Sequence, residues 1–219
     1  AGLHLKHTQG FNPRPSVSIA LPMSVGVESV CELLDFELEG QAVSCDEIRD
    51  RLNGALVEGV TVRQVYEDGA KLKHLALLDC CLTMEYDEGI PADAGEKIKS
   101  LLSSSAVVEK RSKNGTAQQD IVPMIRSLGL EEADANTLTL TTRICCQNPT
   151  LNPALIVSAI ERYLPECRPD HVVYRRLEIY DTEKRMEQLN VPCTAWQSHK
   201  DELVTNHSRK VLERITQID

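Results

Sequence analysis

Thr137-Leu138-Thr139-Leu140-Thr141-Thr142-Arg143-Ile144-Cys145, followed by Asn152-Pro153 and then His171 to Tyr180, decides the fold of this chain. The first stretch alternates apolar and polar residues, which is the period of a strand with one covered face. Asn152-Pro153 opens a helix, since proline suits a first helical position and asparagine suits the cap. The inner face of that helix carries Ile156, Ala159, Ile160 and Tyr163. His171 to Tyr180 closes as another strand. Upstream, the apolar run at 75–86 reads as a strand and 92–104 as a helix carrying Ile98, Leu101 and Leu102. Residues 106–111 read as a strand ending in the Ser112–Gly115 turn, and a helical insert is expected around 120–128. The order is βαββαβ, a ferredoxin-like unit.

The first part of the chain reads as the same unit with its opening missing. Strand 16–21 is expected to pair with strand 31–39, where Leu34, Phe36 and Leu38 alternate with Asp35, Glu37 and Glu39. The acidic face is read as solvated. Ser44-x-x-Glu47 is a capping box, and Ile48, Leu52 and Leu56 stripe the helix behind it. Val60 to Val65 is the last strand. The expected class is therefore α+β, with two tandem ferredoxin-like units in antiparallel sheets, the first lacking its opening strand and helix. Boundaries fall at 1–72, 73–183 and a tail at 184–219. In such a unit the lacking strand is central, so its absence is expected to leave an exposed sheet edge, as from an N-terminal truncation. In the tail, Pro192 and the single tryptophan, Trp196, precede an expected helix carrying Leu203, Val204, Val211, Leu212 and Ile215. That helix is read as packing on the body in preference to docking a partner.

Composition narrows the function. The chain has 219 residues, 42% of them apolar, 26% charged and only 4% aromatic, with a net charge of −9. The acidic balance disfavours general attraction to phosphate backbones, and so few aromatics make a thin stacking platform for single-stranded RNA. A nucleic-acid role therefore needs a confined basic patch. Lys6, His7 and Arg14 form one cluster, and Lys110, Arg111 and Lys113 beside Asn114-Gly115 form another. No apolar run approaches the ~20 residues that span a bilayer, and no signal peptide is read; the expectation is a cytoplasmic protein without a membrane contact. Eight cysteines include the pairs Cys80-Cys81 and Cys145-Cys146, but C-x₂-C spacing is absent, as is the three-cysteine spacing of a radical SAM cluster. The thiols are read as small buried hydrophobes, with no metal and no cofactor expected.

Gly10-Phe11-Asn12-Pro13-Arg14-Pro15 is the most heavily punctuated segment. Two prolines at alternate positions make a stiff turn, and Pro22 and Gly26 fix the loop that follows. Arg14 has a pre-set backbone, so its guanidinium loses little entropy on engaging a phosphate or carboxylate; an ion pair with Glu28 is the structural alternative. His4 and His7 are three apart and would share a helical face if a helix persisted there. His7 is the one candidate general base, set against an ordinary surface histidine. Lys110, Arg111 and Lys113 are either a binding patch or the solvated tip of a hairpin. Arg175 and Arg176, on one strand, face opposite ways.

Thr8-Gln9-Gly10-Phe11-Asn12-Pro13-Arg14-Pro15, with Ile19-Ala20-Leu21-Pro22 and Val25-Gly26-Val27-Glu28-Ser29, closely resembles a family of uncharacterised bacterial proteins known as radical-SAM-linked. The resemblance returns at Glu109-Lys110-Arg111 with Asp120-Ile121 and at Arg175-Arg176-Leu177-Glu178-Ile179-Tyr180, and it covers residues 1 to about 185. Its members are fused to, or encoded beside, radical SAM enzymes, often near a ribonuclease of the E/G type. The resemblance implies a radical SAM protein as partner and supplies no mechanism. The leading expectation is a non-catalytic accessory protein that docks with that enzyme and presents an RNA or ribonucleoprotein. Its binding surface would be Gly10, Phe11, Asn12, Pro13, Arg14 and Pro15 together with Lys110, Arg111 and Lys113. The alternatives are an RNA-processing or RNA-modifying enzyme using His7 near Arg14, and a structural or oligomerising module.

Overall fold

A computed structural model describes residues 1–40, 43–67, 75–112, 115–180 and 211–217, with backbone alone at 111–112 and 211–217. The described residues are mixed α and β, with three α-helices and mostly antiparallel sheets among them. The chain divides into two units, one drawn from Ala1–Ser24, Ser29–His74 and Lys184–Asp219, the other from Val25–Glu28 and Leu75–Glu183.

In the first unit, β1 (Val17–Ile19) pairs antiparallel with β3 (Glu32–Phe36), joining Val17 to Phe36 and Ile19 to Leu34. Helix α1 (Cys45–Asn53) begins as its cap requires: the Ser44 hydroxyl accepts from the Glu47 N–H at 3.2 Å. The return half of the capping box is unused, because the Glu47 carboxylate takes Arg51 one turn on, at 2.6 Å. Ile48 reaches from α1 into a small core with Phe36, Val62 and Val65, and Leu34, Leu38, Leu52 and Leu56 close around it. Strand β4 (Val60–Glu67) keeps Val62 and Val65 buried although they stand three apart. A register shift against its neighbour leaves Arg63 out of the pairing, and this restores both valines to one face.

The neighbour is β11 (Val211–Gln217), and it overturns two expectations. Residues 211–217 form a strand, so Val211, Leu212 and Ile215 are not on a helix; Pro192, Trp196, Leu203 and Val204 lie outside the described residues. The sheet order is β1-β3-β11-β4, with β11 antiparallel to both β3 and β4. The central place, whose lacking strand is expected to leave an exposed edge, is therefore filled by β11. A three-to-four-residue apolar spacing suits a helix in isolation, but two strand edges left without partners recruit an extended segment instead.

The second unit begins at β2 (Val27–Ser29) and continues with β5 (Leu77–Glu85) and α2 (Ala94–Ser104). Then come β6 (Val107–Ser112), β7 (Gly115–Asp120), β8 (Ile125–Glu132), β9 (Thr137–Cys145), α3 (Ala154–Tyr163) and β10 (His171–Tyr180). The sheet order is β2-β10-β5-β9-β8. Strands β5 and β8 flank β9, and β9 and β10 flank β5, so each helix joins two parallel strands separated by an antiparallel one. Leu82, Met84, Leu138, Leu140 and Ile144 of the strands, with Ile98, Ile156 and Ile160 of the helices, are wholly removed from water.

Two expectations change here as well. Residues 125–132 are a strand, not part of a helical insert; only Val122–Met124 makes a single 3₁₀ turn after Asp120. Asp120 secures that corner, accepting from the N–H groups of Ala106 and Val122 and from the Ser105 hydroxyl, and these donors hold its carboxyl below the usual range. Strand 107–112 is not in the main sheet. It pairs with β7 as a separate ribbon, in which Val108 is buried while Gly115 to Gln118 of β7 stay exposed.

The described cysteines are all free thiols. Burial pushes Cys80 up to about 12 and Cys146 up to about 11, so both stay protonated at neutral pH. We expect neither to react with an alkylating agent until the second unit unfolds, as mass spectrometry of timed labelling will show. Because the unfolded thiols ionise near 9, the stability these groups lend is present below that pH and is lost as pH rises from 9 towards 12.

Candidate functional site

Residues 4–8 are extended. The Lys6 N–H donates to the Glu37 carbonyl at 2.8 Å and the Glu39 N–H to the His4 carbonyl at 2.9 Å, which lays this segment along the end of β3. The chain then turns at Gly10 (φ 138°) and returns, with the Thr8 N–H bonded to the Arg14 carbonyl and the Ser16 N–H to the Lys6 carbonyl. His7 and Pro15 face each other across this hairpin. Pro13 and Pro15 have no N–H to donate, so the Arg14 N–H is the sole backbone donor from 13 to 15. The Thr8 hydroxyl takes it at 3.1 Å. This arrangement fixes the tip with Phe11 fully exposed and Arg14 exposed beside it. Thr8→Val is expected to raise amide exchange at Arg14 and Ser16 severalfold, since one hydrogen bond is worth ~0.5–1.5 kcal/mol.

The electrostatics of the tip differ from the sequence reading. Lys6 is held by Glu37 at 2.7 Å, an exposed pair that raises the ammonium's pKa and removes it from the basic cluster. Glu28, the alternative partner of Arg14, belongs to the second unit, where Arg175 grips it at 2.6 Å. Among the described residues Arg14 has no ion-pair partner, and it is the cation left at the tip. His4 and His7 do not share a helical face, because no helix persists there. They border an open cleft of about 770 Å³ with Leu3, Leu5, Pro15 and Glu39. Glu39 is distant in sequence and its approach was not legible there. Among the described residues no three histidine, cysteine or acidic side chains lie close enough to hold a metal ion.

Lys110, on the β6–β7 ribbon of the second unit, is tied down: its Nζ donates to the Thr150 carbonyl at 3.1 Å. The Arg111 side chain and Lys113 lie outside the described residues. The ribbon is braced from α3, where the Tyr163 hydroxyl donates to the Val107 carbonyl at 2.9 Å and Arg162 donates to the same carbonyl at 3.2 Å. Tyr163, read as an inner-face residue, is therefore half-exposed and works through its hydroxyl. Tyr163→Phe is expected to leave the fold intact and to speed exchange at Val108 and Gln119, the ribbon positions beside the brace, by about tenfold.

One polar cluster escaped the sequence reading. Asp79 on β5 stands opposite Arg143 on β9 and accepts from its Nε and Nη2 at 2.7 and 2.8 Å. The Tyr180 hydroxyl of β10 donates to Asp79 at 2.7 Å and accepts from Arg143 at 2.9 Å, while the guanidinium lies 4.3 Å from the tyrosine ring centre. Asp79 holds the Arg143 pKa up, and burial, then Asp79, hold the tyrosine up. Neither changes charge near neutrality, so the cluster is a clasp across three strands. A charged residue inside Leu77-Leu78-Asp79-Cys80 is the only signal the sequence carried for it.

A bacterial family described as an uncharacterized protein conserved in bacteria (DUF2344) matches residues 1–153, and the chain belongs to that family. The match includes the Pro-braced hairpin and the β6–β7 ribbon. No curated protein and no solved structure matches the chain. No helix among the described residues is long and apolar enough to cross a membrane.

Proposed function

We propose that this is a non-catalytic accessory protein of the cytoplasm, built on two ferredoxin-like units, that docks with a radical SAM enzyme and helps present an RNA or ribonucleoprotein substrate. The observation that carries the docking role is the hairpin tip. An aromatic and an arginine are the residue types that anchor protein interfaces, and Phe11 and Arg14 stand in water on a backbone already fixed by Thr8, Pro13 and Pro15. Little ordering entropy remains to be lost when such a tip is bound. The ferredoxin-like description is supported by the split βαβ arrangement found in each sheet. The identity of the partner rests on the family resemblance alone.

The test is calorimetry with the radical SAM enzyme encoded beside it. Phe11→Ala is expected to weaken binding by ~2 kcal/mol or more, about thirtyfold, and Arg14→Ala by about tenfold. Absence of association with the intact protein refutes the reading, as does an unchanged affinity in Phe11→Ala. For the RNA arm, Arg14→Ala is expected to lower the salt slope of binding by about one. A second reading, RNA processing by His7, draws on the cleft that His7 shares with His4 and Glu39. It requires His7→Ala to abolish cleavage, whereas the accessory role is indifferent to that change.

A further inference from the structure

We propose that the outer edge of β7 is a homotypic pairing site, where a second copy of this chain lays its own β7 antiparallel and joins the two ribbons into one sheet. The ribbon has two edges, and the fold treats them differently. Its phase is set by the Ile121 N–H, which donates to the Ala106 carbonyl at 3.0 Å. Bonded pairs inside the ribbon therefore fall at 108 with 119 and 110 with 117, in step with that bond. Val107 of β6, and Thr116 and Gln118 of β7, consequently turn their N–H and C=O groups outward. On the β6 side the Val107 carbonyl is taken by Tyr163 and Arg162 of α3. On the β7 side no strand among the described residues pairs with the edge, and Gly115 to Gln118 are exposed.

A bare strand edge is a template for another strand, and proteins ordinarily blunt it with lysine, proline or a bulge. Residues 115–119 read Gly-Thr-Ala-Gln-Gln, with neither lysine nor proline. The register from Val107 to Gly115 runs without a shift, so there is no bulge either. The edge is unblunted and uncharged.

Symmetry and charge choose the occupant. With Ala117 of both copies on a two-fold axis, Thr116 of each lies opposite Gln118 of the other. Their outward groups meet as hydrogen-bonded pairs, each exchanging both bonds, and the ribbon need not move. Ala117 then faces Ala117 in the close, non-bonded pairing, with Cα atoms ~4.5 Å apart, where a small side chain fits. No residue brought opposite another carries a charge. That condition matters between copies of a chain with a net charge of −9, which repel over most approaches. Within the ribbon, Arg111, Lys110 and Glu109 stand opposite Thr116, Ala117 and Gln118, one strand back from the junction. The two Lys110 positions come to lie three strand spacings apart, ~14 Å, beyond the screening length of ~8–10 Å. Asp120, at the end of β7, is already committed to Ala106, Val122 and Ser105. The paired strands are short against the ~1,200 Å² of a stable interface, so the association is weak and reversible. It does not rest on the Phe11 tip or on the radical SAM enzyme.

The test is sedimentation equilibrium of the intact chain, which is expected to show reversible dimers as the concentration approaches ~1 mM. Gln118→Pro removes an outward N–H that the ribbon does not use, so the monomer keeps its ladder while dimerisation weakens at least about tenfold. Gln118 also accepts from Arg162 at 3.4 Å, a contact that a second variant, Ala117→Glu, leaves in place. Ala117→Glu sets two carboxylates face to face on the axis and is expected to weaken dimerisation by at least as much. The register is read by mild oxidation: Ala117→Cys is expected to give a disulfide between the two introduced thiols, identified by peptide mass spectrometry, and Thr116→Cys is not. Monomer alone at ~1 mM, dimers unaffected by both Gln118→Pro and Ala117→Glu, or equal cross-linking from positions 116 and 117 overturns the proposal. So does a chain that stays monomeric but loses the radical SAM enzyme on Gln118→Pro, since the edge would then serve that protein.

Discussion

Arg214→Pro is expected to unfold the first unit. Position 214 lies inside β11, opposite Leu33 on one side and Gln64 on the other, at the centre of a four-stranded sheet. Proline cannot donate to the ladder, and its ring does not fit between two paired strands. The lost bond and the strain together cost about 3 kcal/mol or more. The core that has to absorb this loss is small, four buried residues with a partly covered rim, and small cores have little stability to spare. Hydrogen exchange followed by mass spectrometry is expected to show protection lost at 32–36 and 60–67. Full protection of Val60–Glu67 in the variant would show that β11 does not hold the sheet together.

Leu82→Ala is expected to be the most damaging single truncation in the second unit. Leu82 is wholly buried at the middle of β5, with Leu140 and Tyr174 as its cross-strand neighbours. Met84, Ile98, Ile156 and Ile160 are fully enclosed in the same unit, and their interlocked packing limits how far the hole can collapse. A cavity of this kind costs ~2–5 kcal/mol. Urea unfolding is expected to show a lower midpoint with an unchanged slope, because the surface exposed on unfolding stays nearly the same. A loss below ~1 kcal/mol would mean that β5 is not central to this core.

Much of this was legible in the residues. The Thr-Leu alternation of 137–145 gives β9 one buried face, and Ser44 starts α1 through the bond its cap implies. Both are local signals, set by side chains within a turn or two of one another. The misreadings have a common cause. Residues 120–128 read as a helical insert by local pattern, yet Ile125–Glu132 is a strand because β9 has a free edge for it. The spacing of Val211, Leu212 and Ile215 reads as a helix, yet the gap between β3 and β4 turns the segment into a strand. The candidate site divides in the same way. Pro13 and Pro15 announced a rigid turn, but which charges it keeps was hidden, since the partners of Lys6 and Glu28 lie 31 and 147 residues away.

The sequence by itself determined the α+β class, the helix starts and the stiffness of the Gly10–Pro15 tip, because caps, prolines and alternation act within a few residues. Tertiary structure alone decided that Glu28 takes Arg175, that Asp79, Arg143 and Tyr180 clasp three strands, and that a segment 144 residues beyond the end of β4 completes the first sheet. Unpaired strand edges and buried charges accept whichever partner the whole fold brings within reach, and no local pattern records which one that will be.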